Sequence, residues 1–222
     1  MSRPKIPRKS TSIDMTAMCD VAFLLLSFFI LTTKFKAPEA IAVQTPSSVA
    51  SKVAPDKDVV LVTIDPSGKV FLSIGEDKTD DGRKDLIAKS IMENKKITFD
   101  VAKFKKAHFW GCSFAQLPSY LSIPEENRKG ETLQGIPTDT IKGGTGSEFT
   151  EWMRIIKDAY SGGKMNLLLK GDNTSKYPAF KSVIDAFKKN DLMKFQMVTN
   201  PESIPVGTEL WKNNLKGEKR DG

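Results

Sequence analysis

Met15 to Thr33 reads MTAMCDVAFLLLSFFILTT, and this stretch decides what kind of chain the rest belongs to. It carries one charge, Asp20, and neither glycine nor proline. An α-helix of that length, at about 1.5 Å per residue, extends about 28 Å, close to the hydrocarbon thickness of a bilayer. No water at that depth satisfies backbone N–H and C=O groups, so a lone spanning segment has to be helical. No later stretch of the sequence resembles it.

Two other readings compete with a membrane anchor. A signal peptide would use the basic start, the apolar run Val21 to Leu31 and an Ala-Ile-Ala site at Ala40 to Ala42. Asp20 just ahead of the run, with Lys34 and Lys36 between the run and that site, argues against it. A buried core helix would need comparably apolar partners, and the remaining chain offers none. For the anchor, Arg3, Lys5, Arg8 and Lys9 before the span outweigh Lys34 and Lys36 after it, which puts the N-terminus on the cytoplasmic side.

Asp20 is the residue most in need of an explanation. An ionised Asp at mid-membrane costs about 2.5–3.5 kcal/mol on insertion scales, so such residues face protein or a watery cavity and often mark ion paths. The plain alternative is a solvated position near the cytoplasmic edge. Thr16 one turn earlier, with Ser27 and Lys34 seven and fourteen residues later, sets a polar stripe along Asp20's side of the helix. Ala22, Leu25, Leu26, Phe29 and Ile30 form an apolar opposite surface. Cys19 reads as a small packing residue. Desolvation penalises the charged form of a carboxyl group, which can then exchange a proton near neutral pH. A single helix has no lumen, so a proton path needs helices from another copy or subunit, and a membrane complex is expected.

The string Ile13 to Lys34, IDMTAMCDVAFLLLSFFILTTK, resembles the single membrane helix of the ExbD/TolR family, an Asp followed by an apolar run ending in Thr. Ala42 to Ser48, AVQTPSS, is similar to the extended motif with a central Pro that follows that helix. Asn166 to Glu202 resembles the strand, Asp, Tyr, helix, strand pattern closing the family's periplasmic domain. The resemblance implies that Asp20 carries the proton and that the motif around Ile41, Val43 and Pro46 docks the energy-receiving partner. It further implies a single-pass inner-membrane subunit with its C-terminal domain in the periplasm. That subunit would work as a homodimer with an ExbB-like multi-span protein, passing proton motive force to a TonB-like transducer of outer-membrane transport. A TolR-like subunit of the Tol-Pal envelope system is the alternative within the family. A secreted, non-enzymatic binding domain released by signal cleavage is the alternative outside it.

The expected fold is a transmembrane α-helix plus a small α+β domain, a mixed sheet with helices on one face, carrying a long insertion. Residues 1–14 form the cytoplasmic N-terminus and 15–34 the span. Residues 35–58 form an extended linker containing Pro38, Pro46 and Pro55, with too little apolar bulk to fold alone. It is either a passive tether or, as the resemblance favours, a segment pairing with a partner or dimer mate by strand addition.

The domain covers 59–206. VVLVTI (59–64), a turn from Asp65 to Gly68 and KVFLSI (69–74) read as a β-hairpin. Phe149, Trp152, Met153, Ile156 and Tyr160 recur at helical spacing after Ser147, a candidate N-cap, with Gly162 and Gly163 as the stop. A strand over Met165 to Lys170 follows. A helix opened by Pro178, with Phe180, Val183, Ile184 and Phe187 on one face, then leads to a strand over Phe195 to Thr199. Residues of about 76–146 exceed the family pattern and form the insertion. Asp85 to Met92 should be helical with Leu86, Ile87, Ile91 and Met92 inward, and Glu125 to Gly146 a polar surface loop. A charged tail covers 207–222.

The net charge of +7, from 34 Lys and Arg against 27 Asp and Glu, lacks the clustered bases and interleaved aromatics of nucleic-acid binders. His108 and Cys112 have no second pair to complete a zinc site, and Cys112 is at most a cross-linking thiol. Gly143 to Gly146 lacks the Lys-Ser/Thr of a phosphate loop, so no cofactor is expected. Lys170 and Asp172 at a strand end read as solvated charges. No nucleophile and base pair points to an enzyme.

Overall fold

A computed structural model describes residues 15–32, 40–49, 55, 57–75, 78–124, 127–138, 146–209 and 211. Outside these lie the expected cytoplasmic stretch 1–14, Lys34, the linker residues 35–39, 50–54 and 56, Gly143 to Thr145 and most of the tail. The chain divides into two compact units, Met1–Ala37 and Pro38–Gly222. In the first, α1 (Met15–Thr32) is one unbroken helix of 18 residues, none of them buried. It is the one helix among the described residues long and apolar enough to cross a membrane.

The second unit is built on a four-stranded mixed sheet. Its strands β2 (Val59–Ile64), β3 (Val70–Ile74), β4 (Asn166–Gly171) and β5 (Phe195–Met197) stand in the order β3-β2-β4-β5. β2 runs antiparallel to β3 and parallel to β4, and β4 parallel to β5. The hairpin turn is held as its sequence suggests. The Asp65 carboxylate accepts from the Lys69 amide at 2.7 Å, and Gly68 takes φ +88, a conformation glycine adopts without Cβ strain.

Cross-strand partners Val60, Ile74 and Leu167, then Val62, Leu72 and Leu169, alternate with residues of the other face. These six join one core with α2 (Lys78–Lys95), α5 (Glu148–Ala159) and α6 (Tyr177–Lys189), so these helices cover a single sheet face. The Ser147 hydroxyl accepts from the Thr150 amide, capping α5, and Pro178 opens α6.

Between β3 and α5 the sequence expectations need correcting. α2 is longer than 85–92, and Leu86 is 53% exposed because Lys84, Ile87, Ala88 and Ile91 form the inward stripe. The expected surface loop over 125–146 is partly core. Its described residues 127–138 bring in buried Ile136, whose amide donates to the Val70 carbonyl at 2.8 Å. Trp110 and Leu72 exchange two backbone hydrogen bonds of 2.7 and 2.8 Å, so the β3 edge is covered. Phe104 of α3 (Val101–Lys106), Trp110 and Phe114 stack with Trp152 of α5 into one aromatic cluster.

Candidate functional site

α1 gathers its polar groups as the sequence spacing requires. At 3.6 residues per turn, Thr16, Asp20 and Ser27 fall within about 40° of one another around the axis. Asp20 is the only charged side chain of the helix. The Ser27 hydroxyl donates to the Leu24 carbonyl at 2.9 Å and the Thr32 hydroxyl to the Phe28 carbonyl at 2.8 Å. Both hydroxyls are satisfied within their own helix, so the carboxyl of Asp20 is the group on this stripe with proton chemistry to offer. Among the described residues none of α1 is buried, so its apolar side chains are left on the surface of their own unit, the kind of surface that lipid or other helices cover.

The stretch behind α1 has a second set of contacts, all within the folded unit. From Ile41 to Thr45 burial alternates, with Ile41 and Val43 half-buried, Thr45 buried, and Ala42 and Gln44 exposed; beyond it Pro46 is half-buried and Ser47 exposed. The Gln44 amide donates to Asp172 Oδ2 at 2.8 Å, and the Asn173 amide returns a bond to the Gln44 carbonyl at 2.8 Å. Thr45 and Asn200 are doubly linked, the Thr45 hydroxyl donating to Asn200 Oδ1 at 2.8 Å and Asn200 Nδ2 donating to the Thr45 carbonyl at 3.1 Å. β1 (Ser47–Ser48) then pairs in parallel with β6 (Asn200–Pro201), and the Glu202 amide donates to the Ser48 carbonyl. The part of the linker that the structure describes here is extended, and the strand it pairs with is this chain's own C-terminal segment.

Asp172 departs from its reading as a solvated charge. It is buried and accepts from the Thr174 hydroxyl at 2.6 Å, the Thr174 amide at 2.9 Å and the Gln44 amide. These bonds hold its carboxyl below the ordinary range, those from Thr174 first. Sequence reasoning passed over Thr45, Asn200 and Gly130 altogether. Cys112 is buried within the core and burial pushes its thiol up to about 12, which removes it as a cross-linking group. Among the described residues no cluster of three or more His, Cys, Asp or Glu is placed to hold a metal.

A membrane-length helix bearing one acid, joined to a mixed-sheet domain with helices on one face, fits a single-pass membrane subunit with a folded extramembranous part. The chain belongs to the ExbD/TolR family, since the model of Biopolymer transport protein ExbD/TolR matches residues 7–202. The match runs from before α1 through β6, nearly the whole chain. Comparison with the curated proteins and with the solved structures gives no match. Membership carries a coarse role, energy coupling in biopolymer transport, which is not an enzymatic one.

Proposed function

We propose that the chain is the proton-carrying subunit of an ExbB–ExbD-type inner-membrane motor that energises TonB-dependent outer-membrane transport. The supporting observation is Asp20, the only charged side chain on a membrane-length helix none of whose residues is buried. In this reading α1 and its dimer mate sit among the helices of an ExbB-like protein, with the N-terminus cytoplasmic and the α+β domain periplasmic. Asp20 is alternately charged and neutral as protons cross. One elementary charge moving through 100 mV releases about 2.3 kcal/mol, enough to shift a helix between two packed positions. The domain passes that movement to a TonB-like protein through the segment around Ile41, Val43 and Pro46.

Asp20→Asn keeps the side chain's shape and removes its titration. In proteoliposomes holding the co-purified complex, the variant should assemble as the parent does and lose proton flux and proton-driven transport. Full flux in that variant would refute the carrier role. Mass identification of what co-purifies in mild detergent separates the TonB route from a TolR-like one.

A further inference from the structure

The strap formed by residues 40–48 is held at three places that lie far apart in sequence. Two have been described, the Asp172–Asn173 turn and the Asn200–Glu202 strand. The third is Gly130, in the long β3–α5 segment. Gly130 is buried, and a Cβ placed on it would overlap the Ala40 carbonyl and come within 3.1 Å of Ile41 Cγ1. Its φ is not in the left-handed region, so the glycine is required there by the close approach and not by the turn. The strap is otherwise fastened mainly by hydrogen bonds from exposed or partly buried groups, the kind of contact that opens locally at low cost.

We propose that residues 40–48 are a releasable strap and that the Ala40–Gly130 approach is its latch, through which the β3–α5 segment controls how much of the linker is free. While it is docked, the covalent tether after Thr32 is residues 33–39, at most about 28 Å long when fully extended. Lys57 and Asp58 stay tied to Asn166 and Arg83, so once the strap is released the tether becomes residues 33–56 and its limit rises to about 88 Å. Ile41, Val43 and Pro46 are half-buried against their own domain while the strap is docked, so partner docking there and self-docking exclude one another. That last consequence rests on the proposed partner role of these three residues, whereas the latch itself does not.

Amide hydrogen exchange on the full chain in mild detergent tests the latch. The amides of Gln44, Asn173, Asn200 and Glu202, all bonded across the strap, should be protected in the parent chain. Gly130→Val should raise their exchange at least about tenfold while Leu167 to Leu169 in the core strand stay slow. Parent-chain amides exchanging at free-chain rates would overturn the strap, and unchanged protection in Gly130→Val would overturn the latch. Should that variant also loosen Leu167 to Leu169, Asn200→Ala decides the matter from outside the β3–α5 segment. It removes both side-chain links to Thr45, and slow exchange at Gln44 in that variant would sink the proposal. An Asp20→Asn chain should show the parent pattern, so failure of the latch and failure of the proton-carrier reading are separately visible.

Discussion

Trp152 offers the sharpest test of whether the β3–α5 segment belongs to the domain core. Its indole is fully buried and stacks on Phe114 at 5.0 Å and on Phe104 at 6.4 Å, with Trp110 at 6.2 Å, and all three of these come from that segment. Truncation to Ala removes the common centre of the cluster and should cost about 3–5 kcal/mol. For a domain of this size that corresponds to a fall of about 6–20 °C in melting temperature. Trp152→Phe should behave quite differently. It forfeits two ring carbons besides the nitrogen, about 2 kcal/mol of burial. It also removes an indole N–H that is buried without a hydrogen-bond partner, a relief of about 1–3 kcal/mol. The two effects nearly offset, so the Phe variant should melt within a few degrees of the parent. Differential scanning calorimetry of the full chain in mild detergent measures both. A Phe variant as damaged as the Ala variant would refute the accounting for the unpartnered N–H. Splitting of the Ala variant into two transitions, one at the parent temperature, would show that the segment is an appendage and not part of the core.

The Asp172 carboxyl is held below its ordinary range, by Thr174 first and by the Gln44 amide of the strap after it, so the stabilisation its charge gives, the strap's share included, is complete above about pH 3.9 and fades as pH falls through the lowered value. Exchange at Gln44, corrected for the intrinsic rate, should therefore accelerate relative to β4 in acid, and Asp172→Asn should flatten that dependence. In a Cys19→Ser chain, which removes the exposed thiol, Cys112 should resist maleimide at pH 8 when folded and react after unfolding, and labelling of that folded chain would refute its burial. Tyr160 donates to Asp80 Oδ1 at 3.0 Å, while Asp80 Oδ2 has no partner. Tyr160→Phe thus takes a bond from an already short-changed buried carboxylate and should lower stability by about 1–3 kcal/mol, read as a shift in the urea midpoint.

Periodicity made the membrane helix, the hairpin, α5, β4 and α6 legible, because each carries a long apolar pattern bounded by its own turn or cap residues. Ser147, Gly68 and Pro178 mark ends that local backbone chemistry requires. The β3–α5 segment was harder for the opposite reason. Leu86 is apolar and lies among inward residues in sequence, yet it faces water, since the stripe that meets the sheet runs through Lys84, Ile87, Ala88 and Ile91. A lysine inside an apolar stripe hides the true phase of the helix from any count of hydrophobic positions. Ile136 and Trp110 reach the core through single backbone pairings with β3, which leave no repeating signature.

The strap shows where such a reading stops on physical grounds. Alternation of Ile41, Val43 and Thr45 against Ala42 and Gln44 marks an extended segment with one face covered, and that much a period of two can encode. Which strand covers it depends on complementary groups more than 120 residues away. These are the Asp172 carboxylate aimed at one backbone N–H and the Asn200 amide, which both donates to and accepts from a single threonine. Backbone groups of an extended segment are the same along its length, so pairing with the chain's own Asn200–Pro201 and pairing with a partner strand use identical bonds. Side chains that fit only one geometry break the tie, Asn200 against Thr45 and the missing side chain of Gly130 against Ala40. A partner that takes the strap must match the backbone bonds and outcompete these fits and the Asp172 carboxylate, which makes Asp172, Asn200 and Gly130, and not the apolar residues of the motif, the positions where the strength of self-docking is set.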